Sequence, residues 1–213
     1  VTVTAQDSLF DEPEPADESG QRVTLAGRVR RTELSAGAWV DVVPGWWPGA
    51  DALFARLVGA VRWRAERRVM YERVVDVPRL VAHFDEGAPV PDPDLDLARR
   101  VLNDWYEPQL GEPLVSTGLC FYRDGHDSVA WHGDTIGRSR YEDTVVAILS
   151  LGAPRVLALR RRGGGPTMRH QLGHGDLLVM GGSCQRTFEH AVPKTRRLVG
   201  PRISVQFRPR GVR

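Results

Sequence analysis

Hydrophobic and polar positions alternate in two different ways along this chain. Leu53, Phe54, Leu57, Val58 and Val61 recur at helical spacing, which predicts an amphipathic helix over about Ala50–Arg64. Ala98, Val101, Leu102 and Trp105 repeat the pattern and predict a second helix over about Leu95–Tyr106. Before the first helix, short β-like pieces read as Arg22–Val29 and Ala38–Val43, then break at Pro44–Gly49. Between the helices, Val69–Phe84 reads as extended, and Pro89–Pro93 is a second break. From Ser116 onward the rhythm changes to short apolar runs divided by Gly-rich or charged turns. They are Leu119–Arg123, Ser128–His132, Thr144–Leu151, Arg155–Arg161, Thr167–Leu172, Gly175–Met180, Arg186–Ala191 and Arg202–Arg208. Short strands at this spacing predict a jelly-roll or related double-sheet β fold with flanking helices.

The expected organisation is an acidic, Pro-rich arm at 1–20, an N-terminal extension at 21–115 and a β core at 116–213, the last two forming one integrated domain. No apolar run of about 18 residues predicts a membrane span, and the N-terminus carries no secretory pattern. Cys120 and Cys184 are the only cysteines, too few for a disulfide framework, so a reducing cytoplasm is expected. Lys194 is the only lysine in a chain with 29 Lys and Arg residues. GC-rich codon usage explains that bias as readily as selection for forked phosphate and carboxylate binding. Arginine is concentrated after residue 155, which is compatible with nucleic acid without requiring it. Nothing indicates an obligate protein partner, and a monomer is the default expectation.

Candidate chemistry starts at Trp131-His132-Gly133-Asp134. Residues i and i+2 of a strand share a face, so His132 and Asp134 can present an imidazole and a carboxylate to one point. His190, on another predicted strand, would complete a two-histidine, one-carboxylate facial triad. On this pattern alone, a surface histidine and a capping aspartate remain an open alternative. Arg202 and Arg208 are an even number of residues apart and therefore share a strand face. Inward-facing, they would demand anions, and a dicarboxylate would meet that demand. An exposed edge strand is the other reading.

The segments Cys120–Asp134, His174–Gly182, Phe188–Lys194 and Arg202–Arg208 together resemble the AlkB family of 2-oxoglutarate-dependent dioxygenases, in the family's motif order. Weaker similarity extends back to Val77-Pro-Arg-Leu80. The resemblance implies a double-stranded β-helix core of jelly-roll type, preceded by a helical and extended recognition-lid region. It implies Fe(II) on His132, Asp134 and His190, with 2-oxoglutarate and O2 as co-substrates. Arg202 and Arg208 match the family's arginine pair, the first being the better candidate for a 2-oxoglutarate carboxylate, and Tyr122 matches a tyrosine that bonds the co-substrate. The implied reaction is oxidative demethylation of N-alkylated DNA or RNA bases, as in DNA repair, with release of formaldehyde, succinate and CO2. Two other functions stay open: an oxygenase acting on protein or a small molecule, and a non-catalytic nucleic-acid-binding module on an oxygenase fold.

The chain departs from the family at three places. Cys120 stands where asparagine is usual, and Ser204 and Gln206 stand between the arginines in place of Asn and Thr. Thr135-Ile136-Gly137 follows Asp134 where many DNA-repair members carry an acid beside the damaged base. A flipped base needs flat groups to hold it. Tyr71, His83 and Phe84 are the aromatic candidates in the lid segment, Thr135 borders the ligand aspartate, and Arg160 and Arg161 are candidates for phosphate; packing or solvated-loop roles compete for each. Trp46 and Trp47 read as core.

Overall fold

The computed structural model describes residues 15–18, 20, 22–70, 73–134 and 141–212. Among the described residues, twelve strands form two antiparallel sheets. Strands β1 (Arg30–Glu33), β2 (Ala38–Val43), β3 (Arg64–Met70), β4 (Arg73–Phe84), β5 (Leu114–Tyr122), β7 (Val146–Gly152), β10 (Asp176–Gly182) and β12 (Arg202–Pro209) build the larger, in the order β1-β2-β10-β7-β12-β5-β4-β3. Strands β6 (Val129–His132), β8 (Arg155–Arg161), β9 (Met168–Leu172) and β11 (Phe188–Val192) build the smaller, in the order β6-β11-β8-β9. This is the expected double-sheet jelly roll. The N-terminal strands extend its larger sheet.

Parity along the strands decides what lies on each side. On β12, Ile203, Val205 and Phe207 belong to the core under the helices, together with Ala147, Leu149 and Leu151 of β7. The alternate residues face inward, where Tyr122, Val146, Ile148, Leu178 and Met180 meet Leu157, Leu159, Leu172, Phe188 and Val192 of the smaller sheet. Both sides of the central strands are thus buried, which explains their nearly continuous apolar runs. Inward positions on β12 are polar instead: Arg202, Ser204, Gln206 and Arg208. The site is built there.

Two helices cover the outer face of the larger sheet. α1 (Ala50–Ala60) buries Leu53 and Leu57, and stops four residues before the predicted end because Val61 turns extended and leads into β3. α2 (Pro93–Leu110) starts earlier than predicted, because the Asp92 side chain caps the Asp94 N–H at 3.0 Å and Pro93 takes the first turn. It ends at Gly111, whose φ of 74° closes the helix in the left-handed region. The predicted inward Trp105 is 38% exposed. Ala98, Leu102 and Tyr106 follow the i, i+4 ridge instead, and Tyr106 is fully buried, giving its hydroxyl to Asp41 at 2.9 Å.

Three further expectations need correction. Arg22–Val29 makes only an isolated bridge at Arg22 and a turn around Gly27, whose φ is 68°; regular pairing starts at Arg30. The 69–84 segment is extended as expected, but it joins the end of β3 to β4 in a hairpin whose first strand already starts at Arg64. Arg186 and Thr187 lie in the one-turn helix α3 (Cys184–Thr187), and the strand begins at Phe188. Trp46 and Trp47 are buried and meet edge to face at 5.5 Å, as core residues. No helix among the described residues is long and apolar enough to cross a membrane.

Candidate active site

His132 ends β6 and is paired in register with His190 on β11, so two imidazoles from neighbouring strands converge with ring centroids 4.2 Å apart. Asp134 lies just beyond β6. Ligand atoms of the three residues all lie within 4.8 Å of one another, and they form the one such His/Cys/Asp/Glu group found among the described residues. His132 Nδ1 sits 2.8 Å from the Ala130 carbonyl. A carbonyl only accepts, so Nδ1 carries the proton and Nε2 keeps its lone pair for a metal. Burial lowers the His190 imidazole to about 3, so it is neutral and ready to coordinate. Burial pushes the Asp134 carboxyl up, but the Arg208 guanidinium, ahead of the two imidazoles, outweighs it and holds it at about 2. Asp134 Oδ2 accepts from Arg208 Nε at 3.3 Å, leaving Oδ1, which is 3.8 Å from His132 Nε2, on the metal side. This donor set fits an octahedral iron(II) ion held on one face.

Two contacts fix Asp134 further, and neither was anticipated from sequence. Its backbone N–H donates to Gln185 Oε1 at 3.0 Å, from the short helix α3. Between the two ligands, Gly133 packs so tightly that a Cβ there would lie 2.4 Å from the Gln185 carbonyl oxygen and 2.3 Å from Arg162 Nη2. The H-G-D glycine is therefore required by close approach.

On the facing sheet, the inward rows of β12 and its neighbours line the cleft. Arg202 pairs with Tyr122 on β5, and Ser204 with Cys120 on one side and Ser150 on the other. Arg202 is 1% exposed. Its Nε donates to Ser150 Oγ at 3.0 Å, yet its Nη1 is buried without a partner. Burial lowers its pKa, and Tyr122, fully enclosed beside it, has its hydroxyl pKa raised by burial. A buried guanidinium nitrogen with nothing to bond carries a large desolvation cost. A carboxylate of 2-oxoglutarate would remove it, so the residues fit the co-substrate. Arg208 shares the face but lies nearer the metal group, against Asp134. Gly118 makes room for it: a Cβ there would come within 2.7 Å of Arg208 Nη1.

Where asparagine is usual, the Cys120 thiol accepts from Arg79 Nε at 3.4 Å and lies 3.9 Å from Gln206 Oε1. Gln206 in turn donates to Ser204 Oγ at 2.7 Å, so the substituted positions form one hydrogen-bonded set. Arg79 is a lining residue that sequence reading passed over, although it sits in the Val77–Leu80 segment that carries the weaker similarity. The cleft around these groups measures about 1150 Å³ and reaches from the metal group to the β3–β4 hairpin.

The aromatic and basic candidates separate. His83 faces the cleft, opposite Gly118, and its Nε2 lies 3.0 Å from Asp85. Phe84 borders the cleft but packs against the helix-side core. Arg160 lies on the outer face of the smaller sheet, bonded to Glu189 at 2.6 Å and 4.0 Å above the Trp131 ring. Arg161 is exposed at the end of β8. Tyr71 and Thr135 lie outside the described residues.

The model of the 2OG-Fe(II) oxygenase superfamily matches residues 58–208. The chain belongs to that superfamily. Among curated proteins it is 30% identical over 186 residues to the alpha-ketoglutarate-dependent dioxygenase alkB homolog 3 of Bos taurus, and equally to that of Homo sapiens. Each match covers 76% of this chain and 64% of the relative, so the chain spans just under two thirds of their length. The DNA oxidative demethylase ALKBH2 of Arabidopsis thaliana is 30% identical over 139 residues, covering 54% of this chain and 44% of that protein. As a member of the superfamily the chain is a 2-oxoglutarate-dependent dioxygenase with Fe(II) and 2-oxoglutarate as cofactors, and it is similar to these AlkB homologues. A crystal structure of an oxidoreductase of the 2OG-Fe(II) oxygenase family from Burkholderia pseudomallei superposes with a TM-score of 0.58 at 13% identity. It covers 80% of this chain and 84% of that one, a likeness of fold.

Proposed function

We propose that this oxygenase is an AlkB-type enzyme that oxidatively demethylates N-alkylated bases in nucleic acid, releasing formaldehyde, succinate and CO2. The observation that carries the reading is the size and lining of the cleft. At about 1150 Å³ it exceeds what a small dicarboxylate alone needs, and it continues from the metal group to the β3–β4 hairpin. A flipped base and 2-oxoglutarate can occupy it side by side.

The chain's own groups divide the work. His132, Asp134 and His190 hold iron(II), which when bound supplies, with 2-oxoglutarate and dioxygen, the oxidation of an N-alkyl carbon. Arg202, Tyr122 and Ser150 anchor a carboxylate of 2-oxoglutarate. Arg208 fixes the outer oxygen of Asp134, so the inner one keeps its direction, and Gln185 fixes the backbone of the same residue. Ser204, Gln206 and Cys120 form the polar wall between them. His83 and Arg79 line the side where a base would enter.

Formaldehyde release from a panel of oligonucleotides carrying N-methylated bases, single- and double-stranded, DNA and RNA, tests the proposal. Release dependent on iron(II) and 2-oxoglutarate is expected. Succinate formation driven by a protein or small molecule, with none driven by any methylated oligonucleotide, would overturn it.

A further inference from the structure

The smaller sheet has a second face, turned away from the cleft, and it holds a groove of about 260 Å³. One cross-strand row builds it. Ala191 of β11 pairs with Ala158 of β8, and Ala158 pairs with Arg169 of β9. Trp131, beside the His132–His190 pair, closes the other end on β6. Two alanines make a low floor between an indole and an arginine. Lys194 stands at the rim.

Charge and continuity say what fits. Arg169 and Lys194 are exposed, and Glu189, the acid on the next row, is already taken by Arg160. Arg160 lies over one face of the Trp131 ring at 4.0 Å, and the indole borders the groove. β6 is an edge strand of its sheet, and Ser128, Val129, Ala130 and Trp131 border both the groove and the cleft. The cleft and the groove therefore share one wall. An aromatic platform beside unneutralised cations is the combination that binds single-stranded nucleic acid, whose bases stack while its phosphates find positive charge. A duplex hides those base faces.

We propose that this outer face is a docking surface for the single-stranded segment adjoining the base held in the cleft, an inference that rests on the demethylase reading. Arg169 and Lys194 take phosphates, and Trp131 guides the strand over the β6 edge. None of them touches the reacting atoms, so the surface acts only on strands long enough to reach it.

The test compares wild type with the Arg169→Glu/Lys194→Glu double variant on two methylated single strands, a trinucleotide and a 20-mer. Binding of an unmodified 20-mer is followed by fluorescence anisotropy across a salt series. The expected result is 20-mer affinity weakened about tenfold or more, with a salt slope shallower by about two. Formaldehyde release from the trinucleotide, and the iron(II)/2-oxoglutarate absorption band, stay unchanged. Equal 20-mer affinity and salt slope in the two proteins would overturn the docking surface while leaving the demethylase intact. Absence of release by wild type from either substrate would overturn the demethylase reading and this one with it.

Discussion

Replacing Arg208 by methionine probes the Arg208–Asp134 charge pair. Burial alone would raise the Asp134 carboxyl, and its charged neighbours, Arg208 first, hold it at about 2. His190 is neutral at pH 7, because burial lowers it to about 3. Arg208, at 3.3 Å from Oδ2, is the largest of the charges that lower the Asp134 carboxyl. Asp134 is 4% exposed, so solvent screening is slight. Returning the carboxyl from about 2 only to its ordinary 3.8 corresponds to ~2.5 kcal/mol at 1.36 kcal/mol per pK unit. The sign follows from linkage. A folded-state pKa below the unfolded one contributes stability that is present above the unfolded value and lost as pH falls through the folded value, here from about 4 down to about 2. Urea unfolding of the metal-free protein should show Arg208→Met less stable by about 2–3 kcal/mol at pH 7, with the gap falling to roughly half at pH 3. In an Asp134→Asn background the pH dependence of the gap should vanish. A gap of the same size at pH 7 and pH 3, or none at pH 7, would show that Arg208 does not stabilise the Asp134 carboxylate.

Other changes separate the parts of the site. Gly133→Ala forces a Cβ against the Gln185 carbonyl; iron(II) affinity, measured by competition with a chelator, should fall about 10–100-fold while the circular dichroism spectrum keeps its native form. Arg202→Met should abolish 2-oxoglutarate binding in calorimetry and leave iron(II) binding in place. Arg202→Lys should rescue it poorly, because a point charge lacks the forked geometry. Tyr106→Phe removes the 2.9 Å bond to buried Asp41 and should cost about 1–2 kcal/mol in urea unfolding without altering turnover.

Much of the site could be read from the sequence because strand parity is a local property. His132 and Asp134 share a face by position, and so do Arg202 and Arg208. Parity does not fix depth: Arg202 lies enclosed against Ser150 and Tyr122, while Arg208 sits against Asp134. Which strands become neighbours is also non-local. Ser150 reaches Arg202 only because β7 and β12 pair, and Gln185 reaches Asp134 only through α3, whose single turn has no periodicity to detect. The Trp105 expectation failed for a related reason. Either 105 or 106 continues a helical stripe, and the partner that chose Tyr106 is Asp41, on a strand 65 residues away.

Anaerobic titration of the metal-free protein with iron(II) and 2-oxoglutarate tests the central claim most directly. A visible charge-transfer band saturating at one iron per chain is expected. That band should disappear in His132→Ala and be lost in Arg202→Met, with iron still bound in the latter. A wild-type protein that takes up iron(II) and 2-oxoglutarate without the band, or a band that survives His132→Ala, would contradict it.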